Sequence, residues 1–186
     1  MDPAPADDRP AERPRGAPAE ARFAAVAVEV TDPVRRYLAR RTDPSTADDV
    51  LSDTLLVCWR GLDRVPADGA VPWAIGIARN CLLNAVRAES RRRRLSWRIA
   101  VVDPPPPSTA GPGVDPDGAA DAVGEALGRL RPADAEVLRL WAWEELAPAQ
   151  IADVLQISVG AATVRLHRAR KKLRAHLDEA TGGDRR

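Results

Sequence analysis

Apolar positions recur every three or four residues through most of this chain. Leu51, Leu55, Cys58 and Leu62 mark one such stripe, and Ala74, Ile77, Ala78, Cys81 and Ala85 a second. Val137, Leu138, Leu140 and Trp141 supply a third, and Ala162, Leu166, Ala169 and Leu173 a fourth, at spacings of 4, 3 and 4. That period belongs to amphipathic helices. No segment alternates apolar and polar residues for long, so strands are not expected. Start signals agree. Thr46 followed by Asp49 resembles a capping box, with Asp48 and Asp49 in the first turn. Pro132 and Pro148 suit first-turn positions, and Ser158 suits an N-cap. The expected fold is all-α.

Two segments lack any period. Residues 1–22 mix Pro, Ala and charge and read as a disordered tail. Residues 103–120, DPPPPSTAGPGVDPDGAA, hold six prolines, three Asp and no Lys or Arg, the composition of a flexible Pro/Asp-rich linker. The chain therefore divides into two small helical domains, 23–102 and 121–180, with a short tail at 181–186.

The length of 186 residues accommodates two such domains, and 30% charged with 45% hydrophobic residues is ordinary for a globular chain. No apolar run reaches the ~18 residues of a membrane span, and the N-terminus lacks the apolar core of a signal peptide. Cys58 and Cys81 have neither CxxC nor His-paired spacing, so no metal site, cofactor or disulfide framework is expected. A cytoplasmic location follows.

The net charge of +1 hides strong segregation. Residues 79–98 carry seven Arg against Glu89, and residues 163–174 carry six Lys or Arg and no acid. Residues 43–53 hold Asp43, Asp48, Asp49 and Asp53 and no base. Each half thus ends in a basic helix that offers a phosphate-binding face.

Residues 148–174, PAQIADVLQISVGAATVRLHRARKKLR, have helix–turn–helix form. Ile151, Ala152 and Leu155 line the inner face of a short helix, and Gln156 and Ile157 make the turn. Opposite the stripe from Ala162 to Leu173 lies a face centred on Val164, Arg168 and Lys171. Gly160 and Ala161 stand at its N-terminal end, and Arg165, His167 and Lys172 flank it. Such a helix suits a major groove, with Arg168 bidentate to guanine and Val164 against a thymine methyl. The bland alternative is a basic helix facing solvent.

In residues 71–94, Trp73, Asn80, Asn84, Arg87 and Arg91 form a stripe at spacings 7, 4, 3 and 4. A ring that stacks, amides that read an exposed base edge and guanidiniums that hold phosphate suit a single strand. Arg79 adds a further cation. The alternatives are a core role for Trp73 and a solvated charge run at Arg91 to Arg94.

Taken together these segments resemble bacterial RNA polymerase sigma factors of the extracytoplasmic-function (ECF) group. The resemblance rests on ADDVLSDTLLVCW at 47–59, on the W-x-x-x-IARN segment from Trp73 to Asn80, and on EVLRLWAWEELAPAQIADVL with VRLHRARKKL. It implies region 2 and region 4 domains that bind core polymerase and recognise the −10 and −35 promoter elements. Asp48, Asp49, Asp53, Leu55, Leu56 and Trp59 are then expected on the clamp coiled coil of the beta-prime subunit, and region 4 on the beta flap. Arg64, Trp73, Arg79, Asn80, Asn84, Arg87 and Arg91 are expected on single-stranded −10 DNA. The loop RVPADGA at 64–70 helps capture a flipped base. Ser158, Gly160, Ala161, Thr163, Val164, Arg165, His167, Arg168, Lys171 and Lys172 are expected on double-stranded −35 DNA. The resemblance also implies an anti-sigma factor as restraining partner, no membrane insertion, no catalytic residue and no domain after region 4.

The chain departs from the family pattern at Pro72, where an aromatic is common, at Leu55, where Phe is common, and at Thr163, where a basic residue is common. With few aromatics in region 2, strand separation is expected to rely on base capture. A stand-alone helix–turn–helix regulator binding an operator is the rival reading. It leaves the Trp73–Arg91 stripe unexplained, and no dimer helix is evident. A nucleic-acid enzyme using Asp48, Asp49 and Asp53 on Mg2+ lacks a nucleophile motif or phosphate loop.

Overall fold

The computed structural model describes residues 16–99 and 118–182, with side chains assigned over 16–93 and 123–179. The described residues form seven helices and a 3-10 turn: α1 (Ala17–Ala39), α2 (Pro44–Arg60), the turn (Leu62–Arg64), α3 (Ala70–Ile99), α4 (Gly118–Gly128), α5 (Pro132–Ala142), α6 (Pro148–Leu155) and α7 (Val159–Gly182). The expected all-α class is thus observed. The tail before residue 16 and most of the linker lie outside the described residues. Residues 17–22, assigned to the tail from sequence, begin α1, and Gly118 to Ala120, assigned to the linker, begin α4.

In the first half, α1, α2 and α3 pack against one another. Val26, Val30, Val34 and Tyr37 put a stripe of spacing 4, 4 and 3 into the core, with Leu38 beside them. From α2 come Val50, Leu51 and Cys58, and Leu62 of the following turn is 1% exposed. Ala74, Ile75 and Ala78 close the core from α3. The small volumes of Ala74 and Ala78 let the helices approach closely, and Ile75 fills the space between. The start of α2 corrects the expected cap. Asp43, not Thr46, is the N-cap: its carboxylate accepts the Thr46 backbone N–H at 3.0 Å, and Pro44 opens the helix. Those hydrogen bonds hold the Asp43 carboxyl below its ordinary range.

In the second half, α5, α6 and α7 enclose Val137, Leu138, Leu140, Ile151, Ala162 and Ala169. Pro132 and Pro148 begin α5 and α6 as expected, because a first-turn residue needs no N–H. Gln150 completes the start of α6 by accepting the Ala147 N–H at 2.9 Å. Trp141 departs from its expected burial. It is 39% exposed, and the Arg170 guanidinium lies 4.6 Å from its ring centroid.

The two halves also pack on each other. Alpha-helix α6 crosses α3, and a Cβ on Gly76 would stand only 3.7 Å from the Val154 Cα. Val154, not Leu155, therefore joins Ile151 and Ala152 in the buried face of α6. Arg41 at the end of α1 is sandwiched beside this contact. Its guanidinium lies 3.7 Å from the Tyr37 ring centroid, and its Nη1 donates to Glu144 Oε1 at 3.0 Å. Arg41 Nη2 approaches Glu136 Oε1 at 3.5 Å, and Arg40 pairs with Glu144 Oε2 at 3.3 Å. The Tyr37 hydroxyl donates to Glu136 at 3.4 Å. Arg41 and Glu144 side chains are only 9% and 4% exposed, so these pairs are barely screened by solvent.

Candidate nucleic-acid interface

The turn before α7 sets the geometry of the basic face. Gln156 ends α6 in the left-handed region at φ 54°, and its N–H bonds to the Ala152 and Asp153 carbonyls. Ser158 then caps α7: its Oγ accepts the Ala161 N–H at 3.2 Å, and its carbonyl accepts the Ala162 N–H at 3.0 Å. Ala162, Leu166 and Ala169 are buried, with Leu173 half buried. A helix anchored on that stripe must turn its opposite side to solvent.

Gly160, Ala161, Thr163, Val164, His167, Arg168 and Lys171 are all exposed there, and Val164 is 48% exposed. Thr163 Oγ1 donates to the Val159 carbonyl at 2.9 Å, which leaves its methyl and the oxygen lone pairs outward. Two residues of the expected set lie elsewhere. Arg165 is half buried and lines a cavity between the two halves. Lys172 pairs with Asp134 of α5 at 2.8 Å and so ties α7 to its own domain.

On α3 the expected stripe is split. Asn80, Asn84, Arg87 and Arg91 are exposed along one line. Trp73 is half buried and packs against the core, and with Asn80 it lines a cleft of about 330 Å³. Pro66, Asp68 and Gly69 of the loop form one wall of the cleft, and Gln150, Asp153 and Gln156 at α6 form the other. Gly69 sits at φ 147°, a backbone conformation that residues with a side chain rarely adopt, where the loop enters α3. Arg64 is exposed at the start of the loop. Arg79 is half buried and faces the second cavity, not the cleft.

Alpha-helix α2 presents an acidic face with apolar residues beside it. Asp48, Asp49 and Asp53 are exposed, and Leu56 is 45% exposed. Val57, at 39%, extends this patch and was not singled out from sequence. Leu55 and Trp59 are half buried; the Trp59 ring meets Phe23 of α1 edge-on, with centroids 5.2 Å apart. These two residues therefore support the patch from below. The described residues contain no cluster of His, Cys, Asp and Glu able to hold a metal, and no helix long and apolar enough to cross a membrane.

Sequence reasoning missed the contact between the halves. Tyr37, Arg40 and Arg41 meet Glu136 and Glu144 across about one hundred intervening residues, and no local pattern signals such pairs.

An exposed basic helix after a tight left-handed turn, joined to a three-helix domain with an amide-and-arginine face, is the layout of a two-domain DNA-binding protein, with an acidic patch exposed on α2. Family models give this class its identity. Residues 28–92 match Sigma-70 region 2, and residues 120–173 match Sigma-70, region 4. The sequence is 33% identical over 157 residues to the ECF RNA polymerase sigma factor SigL of Mycobacterium tuberculosis, covering 77% of this chain and 82% of SigL. It is 30% identical over 153 residues to the RNA polymerase sigma factor CarQ of Myxococcus xanthus, covering 78% and 83%. The fold is similar to the sigma factor RpoE of Bartonella quintana solved with the anti-sigma factor NepR, with TM-score 0.60, 21% identity, and 84% and 96% of the chains covered. It is also similar to CnrH solved with the cytosolic domain of CnrY, with TM-score 0.57, 23% identity, and 87% and 95% covered. The chain belongs to the sigma-70 family of RNA polymerase sigma factors, in its extracytoplasmic-function group.

Proposed function

We propose that this chain is a dissociable promoter-specificity subunit whose three surfaces divide the work. The α2 patch of Asp48, Asp49, Asp53 and Leu56 docks on the beta-prime clamp coiled coil, where carboxylates suit a basic partner. The second domain lies on the beta flap. The exposed side of α7 reads the −35 duplex: Arg168 and Val164 contact base edges, while His167, Lys171 and the helix N-terminus contact phosphates. The α3 line of Asn80, Asn84, Arg87 and Arg91 follows the single-stranded −10 element. The cleft beside Trp73 and the 64–70 loop takes a flipped base, whose unstacking costs a few kcal/mol. Polymerase performs the chemistry, and tethering both domains to it raises the effective concentration of each on its own DNA element.

The observation that carries this reading is the side of α7 opposite Ala162, Leu166 and Ala169, where an exposed Val164 stands amid Arg168 and Lys171. Single exposed valines are ordinary on protein surfaces, so the weight rests on the place of Val164 in a segment, residues 163–174, that carries six Lys or Arg and no acid. An anti-sigma factor is proposed as restraining partner, supported by neighbours of this fold solved with such proteins. A cytoplasmic location accompanies the polymerase.

The test is core-polymerase pull-down followed by run-off transcription. The chain is expected to co-purify with core enzyme and to direct initiation from a promoter with two spaced elements. Tight operator binding without polymerase, and no stimulated initiation, would favour a stand-alone regulator instead.

A further inference from the structure

The second cavity between the halves has a volume of about 420 Å³. Four guanidiniums line it: Arg41 and Arg79 from the first half, and Arg139 and Arg165 from the second. Glu136 is the one carboxylate among the lining residues. Arg79, Arg139 and Arg165 are half buried and have no ion-pair partner among the described residues. Arg41 is nine-tenths buried, yet its Nε and Nη2 lack any hydrogen-bond partner among the described residues. The walls between these cations are apolar, from Leu82, Leu83 and Leu155.

Like charges gathered in a partly desolvated space repel one another, and the unmade hydrogen bonds of buried Arg41 are costly. An anion relieves both penalties, and apolar walls strengthen its attraction by lowering the local dielectric. Guanidinium forks match phosphate oxygens in bidentate fashion. The volume lies within the range of small-molecule sites, roughly 300–1,000 Å³. Glu144 neutralises Arg41 from behind and Glu136 offsets a second cation, so a net excess of two cations remains and the cavity calls for more than one negative charge. We propose that it binds a small molecule bearing a diphosphate group, held between Arg79 of α3 and Arg139 and Arg165 of α5 and α7.

Such a ligand bridges the halves and holds them closed. Arg79 and Arg165, expected on DNA from the sequence, line this cavity instead.

The probe is pyrophosphate, titrated calorimetrically into the full chain at constant ionic strength, without DNA or polymerase. Failure here therefore leaves the promoter reading intact. One saturable site per chain is expected. Arg79→Gln and Arg139→Gln, which alter one half each, should both weaken binding by about tenfold or more. Arg168→Gln, on the exposed side of α7, should bind as wild type. Circular dichroism and thermal melting check that each variant folds. Should a glutamine variant unfold, Arg79→Lys or Arg139→Lys keeps the charge, loses the fork and should still weaken binding. Unsaturable uptake overturns the proposal. Equal weakening by Arg168→Gln overturns it too, by reducing the effect to general phosphate affinity. Binding insensitive to either Arg79 or Arg139 overturns the bridge.

Discussion

Arg168 and Cys58 show how far a single side chain's setting decides its role. Arg168 is exposed on α7 with nothing to restrain it except the helix itself. Arg168→Ala should weaken −35 binding by about 1–3 kcal/mol if the contact is bidentate to guanine, and leave core-polymerase binding intact. Equal loss on every DNA sequence in a competition assay would reassign it to phosphate. Cys58 is the opposite case. It is fully buried, and burial, with a smaller contribution from Cys81, pushes its thiol from about 9 up to about 11. The folded state then holds a proton that the unfolded state has lost, so this stabilisation is complete below pH 9 and disappears as pH rises through 11. Urea melts across that window should show falling stability. Cys58→Ala should flatten the slope, even though the substitution itself lowers stability at neutral pH through the cavity it leaves. An unchanged slope would mean that another group dominates.

At the scale of elements, helix starts were partly readable. The prolines at 132 and 148 and the serine at 158 occupy the positions their chemistry favours. The start of α2 lies three residues before the Thr46–Asp49 pattern because Asp43 caps the helix and Pro44 opens it. Asp43→Ala should fray the first turn of α2, lower the melting temperature by a few degrees and mobilise the Thr46 amide in hydrogen exchange. The wild-type cap should weaken as pH falls through its depressed folded pKa, since the ionised carboxylate is the better acceptor. The division of labour on α7 was legible as well, because one buried stripe fixes the rotation of a whole helix. Leu155 and Trp141 were not. Whether a residue beside a stripe is covered depends on which neighbour arrives, and here α3 meets Val154 while solvent and Arg170 meet Trp141.

At the scale of the molecule, the closed arrangement of the halves is the main structural addition. Arg41 pairs with Glu136 and Glu144 where solvent scarcely reaches, and the partly exposed Arg40 adds a second contact to Glu144. Removing one partner of a buried pair strands the other charge and costs about 3–5 kcal/mol. Glu144→Ala should therefore loosen the halves from each other. Small-angle scattering should record a larger radius of gyration for the variant, with far-UV circular dichroism unchanged, since each half keeps its own core. A variant as compact as wild type would show that the α3–α6 contact and the Glu136 pairs hold the halves together without Glu144. The same packing places Gln150, Asp153 and Gln156 across the cleft from Trp73 and Asn80. Loosening it should expose the cleft and increase binding of single-stranded −10 DNA to the free chain.

The sequence by itself determined the helices, the division into two domains, the side of α7 that faces outward and the segregation of charge. Periodicity, capping and local charge act over a few residues and survive in the linear record. Tertiary structure alone decided that Arg79 and Arg165 share a cavity, that Arg41 is buried against Glu144, and that Trp73 looks across at α6. Those relations join residues distant along the chain, and their strength comes from desolvation, which exists only once the two halves have met.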